Sequence, residues 1–390
     1  MRAFAVRGFG EPPSILDLPV PAADGEFLVA VRFAGVNPLD NSLLGRLKAD
    51  SPYPFVVGID FAGIADRVAP GDHGLRAGDR MFGMARTHRS YAEYTAIGPD
   101  ARLEPVARIP DGVADDQAAA LPTSAITALR TVDVLQVSAG QRVVVMGATG
   151  GVGGYAVQLA RSRGPQVIAT VRGDVDEARR LGAHDSKIAN VIDAVHAAHP
   201  PGVDAVLDLI SGPDAIRRDA EIIRPGGRLV STIFAADEAW FAQRQITAHN
   251  HASSANPLIS AEGLTKVAQL LAAGTITTRI RATVGLDAAG QVLEQLRSGG
   301  LRGKAVIRIS RRPPDHPRQS RWVPAGSCSE AWNCFSQAWK SSSVSSWPPG
   351  GGGGSMRGLL EPPPWPLCGP PLPIRNPQMP NTTSTTRPRK

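Results

Sequence analysis

At 390 residues the chain is long enough for two domains with sizeable cores. Its formal net charge of +7 arises at one end: residues 311–390 hold ten of the 42 Lys/Arg and three of the 35 Asp/Glu, leaving 32 of each sign in residues 1–310. A neutral body argues against nucleic acid or an anionic membrane as partner, and no apolar run reaches membrane-spanning length.

The N-terminal stretch MRAFAVRGFGEPP lacks the apolar core of a signal peptide, so a cytoplasmic location is expected. Residues 1–117 then alternate short strand-like runs (Phe27–Phe33, Phe55–Phe61, Arg80–Gly83 and Tyr91–Ile97) with turn signals such as Pro70-Gly71-Asp72 and Ala77-Gly78-Asp79. That spacing predicts a compact β domain. From Leu121 the texture changes to β/α alternation. Strands are expected at Val143–Met146, Val167–Val171, near Ser186–Ile188, and at Ala205–Ile210 and Arg228–Phe234, with helical segments at 152–163, 174–181 and 213–223 between them. Such alternation predicts a parallel sheet covered by helices on both faces. Beyond Phe241 come a helix (Glu262–Ala273), a strand (Ile280–Val284), a helix (Ala288–Ser298) and a last strand (Lys304–Ile309), a segment expected to return to the first domain.

The most informative stretch is Arg142–Gln158, RVVVMGATGGVGGYAVQ, in which a buried-type strand breaks into glycines and then into a helix. Gly147 and Gly150 allow a tight turn. Gly151 and Gly153 remove side chains where backbone N–H groups approach phosphate oxygens and where helix packs closely on sheet. The helix from about Val152 directs its positive end at the phosphates, as a dinucleotide pyrophosphate requires. The second strand ends at Arg172-Gly173, with Arg172 placed 21 positions after Gly151. A ribose with a free 2′-hydroxyl is held there by Asp or Glu, whereas a 2′-phosphate requires a cation. Arg172 therefore favours NADPH over NADH, although Asp174 and Asp176 follow closely. Ala148, Val152, Thr170 and Ile233 complete the expected cofactor site.

Residues 311–390 contain all three cysteines, five of the six tryptophans, 16 of the 34 prolines and the run Gly350–Ser355. No helical or strand period survives in them, and they read as a disordered tail, genuine or out of frame, with a proline-rich partner-binding tail as the alternative. Residues 1–310 thus hold neither disulfides nor thiolate metal ligands.

The phrases Gly35-Val36-Asn37-Pro38-Leu39-Asp40, Gly58-Ile59-Asp60-Phe61-Ala62-Gly63, Gly78-Asp79-Arg80-Met81-Phe82-Gly83 and Ser90-Tyr91-Ala92-Glu93-Tyr94 follow one another in order. Ala118-Ala119-Ala120-Leu121-Pro122, Thr127-Ala128, the glycine turn, Pro225-Gly226-Gly227-Arg228 and Gly303-Lys304 complete the series. As a set, over residues 1 to about 310, they resemble the zinc-independent quinone oxidoreductase branch of the medium-chain dehydrogenase/reductase superfamily. The resemblance implies an α/β protein in which a GroES-like β-rich catalytic domain carries an inserted Rossmann doubly wound parallel-sheet domain. The expected divisions are 1–120 (catalytic), 121–248 (NADP-binding), 249–310 (return to the catalytic domain) and 311–390 (tail). It also implies NADPH-dependent reduction of quinones or α,β-unsaturated carbonyls in the cleft between the domains. Zinc-using cousins place a cysteine in the segment matching Asn37–Asp40 and a His-Glu pair in that matching Gly58–Gly63. This chain has neither, which disfavours a zinc-bound alcohol.

By the same match, Thr127 lies near the nicotinamide, and Asn37 and Asp40 lie on the cleft side. An Asn37 amide can donate to a carbonyl that gains negative charge, Asp40 is a structural or proton-handling group, and Asp60 packs and hydrogen-bonds in the cleft. Ser42 stands where relatives often carry a tyrosine, which puts aromatic stacking on a quinone in doubt. His249/His251 and His196/His199 have metal-like spacings without a completing acid or thiol, so no metal is expected. The resulting expectation is direct, metal-free hydride transfer from NADPH to a small quinone or enone, by a protein able to form a homodimer. Its rivals are an enoyl-thioester reductase of polyketide or fatty-acid type, and a catalytically silent NADPH-binding sensor or partner-binding protein.

Overall fold

The computed structural model describes residues 1–309 apart from 71–73, 88, 99–103, 188–190, 252–256 and 302. The tail at 311–390, the end of the strand expected near Ile188 and the turn at Gly71-Asp72 lie outside those residues.

The β-rich part is built on the strand Phe27–Val36 (FLVAVRFAGV), whose β-branched and aromatic residues are buried along most of its length. Around it a seven-stranded sheet runs Ile280–Gly285, Lys304–Arg308, Phe27–Val36, Asp60–Arg67, Arg80–Met84 and Val106–Arg108, with Tyr94–Ile97 also pairing to Phe27–Val36. Arg2–Val6 forms a small three-stranded sheet with Ser14–Asp17 and Phe55–Val56. The run Phe55–Phe61, expected as one strand, is two. It breaks at Gly58, whose φ of 90° turns the chain where any Cβ would collide with the Tyr91 ring.

The β/α part forms a six-stranded parallel sheet in the order Asp185–Lys187, Gln166–Thr170, Arg142–Met146, Val203–Asp208, Ile223–Ser231, Thr247–Asn250. Strand order reverses between Arg142–Met146 and Val203–Asp208, which opens a crevice at their carboxyl ends. The strand Thr247–Asn250 was not anticipated, and it runs across the division placed at 248/249. Asp174 caps the helix Val175–Arg180 by accepting the Glu177 N–H at 3.1 Å.

The chain then returns. Ile280–Gly285 and Lys304–Arg308 join the first sheet, with Ala305 opposite Val36. Helices Pro122–Leu135, Gly151–Ser162 and Ala261–Ala272 fill the space between the sheets. One apolar cluster runs from Ile59, Phe82 and Ile109 through Ile126 and Leu129 to Val143, Leu159 and Leu207, and includes Leu264 and Val267. Each such side chain contributes roughly 1.5–3 kcal/mol on burial, so a shared core holds the crevice and the first sheet in one arrangement.

Candidate functional site

The crevice at the switch point is a cleft of about 990 Å³ lined by Gly147, Gly150, Thr170, Arg172, Ile210 and Asp219 among others. Gly147 has a φ of 77°, and a Cβ there would lie 2.8 Å from Ile210 Cγ2. The turn is buttressed by the neighbouring strand. Thr170 Oγ1 accepts the Gly147 N–H at 3.1 Å, and the Thr170 carbonyl accepts from Ala148 at 3.2 Å. Gly150 precedes the helix Gly151–Ser162 with extended backbone and no side-chain cap, so the first N–H groups remain available to an anion.

The expected cofactor residues divide by position. Gly147, Gly150, Thr170 and Arg172 line the cleft. Ala148 is fully buried behind it. Gly153 faces the turn itself, where a Cβ would collide with the Gly147 carbonyl, so it serves helix–strand packing. Gly151 turns the other way: a Cβ there would meet Ser124 Oγ at 3.5 Å and Lys304 Cδ at 3.6 Å. Half-buried Val152 follows it in the first helical turn. Ile233 lies beyond the strand Ile223–Ser231, 43% exposed and outside the lining of the cleft.

Arg172 is exposed at the cleft edge, its guanidinium near Gly299. The acids that follow it are engaged. Asp174 accepts from Arg281 at 2.6 Å as well as capping its helix, and Asp176 lies 3.5 Å from Arg179. On the opposite wall Asp208 Oδ1 accepts the N–H groups of Ile210 and Ser211, each at 2.8 Å, and so shapes the lip of the cleft. Burial and its pairing with the Asp208 carboxyl push the Asp219 carboxyl up to about 9. Sequence reading missed it, because the two residues meet only through packing.

Under the other side of the glycine turn lies a polar network. Asn37 precedes the helix Pro38–Leu44, and its N–H donates to Asp40 Oδ2 at 2.8 Å. Asp40 is fully buried and also accepts from the Tyr91 hydroxyl at 2.9 Å. Burial outweighs these hydrogen bonds and raises its carboxyl to about 7. Asp60, equally buried, accepts from the Thr123 N–H (3.0 Å) and hydroxyl (2.6 Å) and from the Asn37 amide (2.9 Å). Lys304, 4% exposed, donates to the Asn37 side-chain carbonyl at 2.6 Å and the Val36 carbonyl at 3.0 Å, with Asp60 4.0 Å away. Burial pushes Asp60 up and Lys304 down, and their mutual attraction opposes both shifts.

This geometry corrects one expectation. Asn37 is 1% exposed, with its amide directed at Asp60 and its carbonyl at Lys304, so it braces the network and is not an open donor for a substrate oxygen. Thr127 sits half-buried one turn after Thr123 on Pro122–Leu135, its carbonyl accepting from Thr131 at 2.9 Å. Ser42 donates to the Pro38 carbonyl at 3.2 Å. Lys304 was not singled out as a site residue. A lysine opening the apolar run Lys304–Ile309 was its only signal, since a buried ammonium requires acceptors. The expected histidine pairs do not converge: His249 is exposed and His251 buried, and among the described residues no three His, Cys, Asp or Glu side chains group as metal ligands.

Two family models match the chain: an alcohol dehydrogenase GroES-like domain over residues 23–108 and a zinc-binding dehydrogenase over residues 181–307. A quinone oxidoreductase of Rattus norvegicus is 32% identical over 244 residues, covering 59% of this chain and 72% of that protein. The spectinabilin polyketide synthase system protein NorB of Streptomyces orinoci is 36% identical over 219 residues, 54% of this chain but only 9% of the synthase. Among solved structures, the quinone oxidoreductase from Coxiella burnetii superposes with a TM-score of 0.68 at 26% identity, covering 80% of this chain and 99% of that one. An alcohol dehydrogenase superfamily protein from Novosphingobium aromaticivorans gives a TM-score of 0.70 at 29% identity, over 80% of this chain and all of that one.

Proposed function

Because the chain belongs to the medium-chain dehydrogenase/reductase superfamily, in its quinone oxidoreductase-like branch, we propose that it is an NADPH-dependent reductase of quinones or α,β-unsaturated carbonyls. NADPH supplies the hydride when bound. The residues of the chain bind, orient and exclude water. The turn through Gly147 and Gly150 would present the uncapped N–H groups at the start of the helix Gly151–Ser162 to the pyrophosphate, and Arg172 would hold the 2′-phosphate. The network of Asn37, Asp60 and Lys304 braces the catalytic side against the helix that begins at Gly151. Asp40 and Tyr91 keep a proton within that side, on the shared hydrogen bond between carboxylate and phenol.

The observation that carries the cofactor preference is the state of Asp174. Its carboxylate caps a helix and pairs with Arg281, which leaves the exposed Arg172 guanidinium beside it at the cleft edge to meet an anion. The donor chemistry supports a metal-free reaction. Where zinc-using cousins present a cysteine, this chain presents the Asn37 carbonyl, with the Lys304 ammonium 2.6 Å away, and that charge repels a cation. The test is stopped-flow oxidation of NADPH and NADH against quinones, enals and enoyl thioesters. NADPH is expected to bind at least about tenfold more tightly than NADH, a difference that Arg172→Ala removes. Equal affinity of the wild type for both would overturn the cofactor assignment. Turnover of enoyl thioesters alone would favour the second reading, an enoyl reductase, for which the similarity to polyketide synthases speaks.

A further inference from the structure

Ala85 and Ser90 are both pinned beside Asp60. Ala85 N–H donates to the Ile59 carbonyl at 2.8 Å, and Ser90 N–H to the Gly58 carbonyl at 3.3 Å. Two arginines project from this short span. Arg86 is half-buried, and among the described residues its hydrogen-bond contact is a weak one to Met84 Sδ at 3.8 Å. Arg89 is 5% exposed, its guanidinium 4.9 Å over the Phe55 ring, and its buried Nε has no acceptor. Its φ of 67° is a conformation that a non-glycine residue adopts at a cost.

Burying guanidinium charge without a partner is unfavourable, so the surrounding carboxylates are the natural place to look. Most of their oxygens accept from other donors. Both oxygens of Glu104 accept backbone N–H groups, from Thr87 at 2.6 Å and Gly98 at 2.7 Å. Both oxygens of Asp60 accept from Thr123, and one from Asn37 as well. Asp40 accepts from Asn37 and Tyr91 on Oδ2 alone, and its buried Oδ1 has no hydrogen-bond partner. Among the described residues no ion pair joins Arg86 or Arg89 to a carboxylate. Burial lowers the pKa of Arg89 to about 10 against the attraction of the Asp40 and Glu104 charges, and the nearby Arg86 charge lowers it further.

We propose that Arg86 and Arg89 receive an anionic group of the substrate, a carboxylate, sulfonate or phosphate carried near the reducible double bond. This rests on the reductase reading and narrows its substrate class from neutral quinones and enones to charged ones. A planar guanidinium fork matches such an oxyanion with two parallel hydrogen bonds, and the partly dehydrated setting strengthens them. Free carboxylates and the phosphate of a phosphopantetheine arm share this chemistry.

The test compares three pairs of substrates that differ by one anionic group: benzoquinone and benzoquinone sulfonate, an enone methyl ester and its parent carboxylate, and crotonyl pantetheine and crotonyl phosphopantetheine. The quantity read is the charged-to-neutral ratio of kcat/KM in the wild type divided by that in Arg86→Gln, which cancels intrinsic electrophilicity. A value of about ten or more in at least one pair is expected, and the pair with the largest value identifies the source of the anion. A value near one in all three overturns the proposal. A second measurement needs neither turnover nor a variant: binding of levulinate and of its methyl ester to the wild-type protein, by ligand-observed magnetic resonance. Levulinate is expected to bind and the ester not. If no substrate oxidises NADPH yet levulinate binds selectively, the reductase reading fails and the anion receptor stands. If neutral substrates turn over and levulinate binds no better than its ester, the receptor fails and the reductase stands.

Discussion

The glycine turn and the polar network that lies against it do their work by different means. At the turn, function resides in the backbone: Gly147, Gly150 and Gly153 matter for what they lack, and all lie within seven consecutive residues. In the network, function resides in side chains from four separate stretches, as Asn37 meets Asp60, Asp60 meets Thr123, and Lys304 reaches back to Asn37. A local device is readable from a local pattern. A device assembled across 267 positions of sequence has no local pattern to read.

The sharpest way to break this comparison is Lys304→Met. It leaves Asp60 buried without its cation, and removing one partner of a buried pair costs about 3–5 kcal/mol. Chemical denaturation should show a loss of that size, whereas an unchanged midpoint would mean that Lys304 is a spectator. Next in size is Gly153→Ala, in which the new methyl group collides with the Gly147 carbonyl and overpacks the helix–strand contact by about 1–3 kcal/mol. Thermal melting and dinucleotide titration should both register it, because the collision displaces the turn.

A third comparison uses pH. On the network side burial raises Asp40 to about 7 as well as raising Asp60, and on the cleft side Asp219 rises to about 9, against an unfolded value of 3.8. Between the unfolded and folded values the native state holds a proton that the unfolded chain has released. Stability from each group is therefore fully present below about pH 4, declines as pH rises, and levels off above the folded value. Asp40→Asn should flatten the pH dependence of the urea midpoint up to about pH 7, and Asp219→Asn should flatten it further, up to about pH 9. Identical pH profiles for both variants and the wild type would show that neither carboxyl carries a native proton. The smallest effect is expected of Gly151→Ala, whose methyl group makes only ordinary contacts with Ser124 and Lys304 and should change stability by no more than ~0.5 kcal/mol. A large loss there would make Gly151 as demanding as Gly153 and erase the distinction between the two sides of the helix.

Period and punctuation alone located most of the parallel sheet and its helices. The helix expected over 152–163 spans Gly151–Ser162, and the strand expected at Ile280–Val284 spans Ile280–Gly285. What escaped were elements whose pattern is short or depends on neighbours. Thr247–Asn250 alternates exposed and half-buried residues at the sheet edge, a weak signal in four residues. The run Phe55–Phe61 read as one strand because apolarity does not reveal a bend, and only the Tyr91 ring packed at Gly58 explains it.

By itself, then, the sequence determined the glycine turn and the arginine at the end of the next strand, since both follow from residue types at fixed spacing after a strand. The tertiary structure decided which polar groups are engaged. Asp174 looks like a rival to Arg172 until Arg281 is seen to hold it, and Asn37 looks like an open donor until Asp60 and Lys304 are seen on either side of it. Arg86 and Arg89 look like surface charge until packing is seen to bury Arg89 and half-bury Arg86, with no ion pair to either among the described residues. The physical reason is common to all three: hydrogen-bond partners and dehydration are properties of three-dimensional neighbours, and chain order does not specify them.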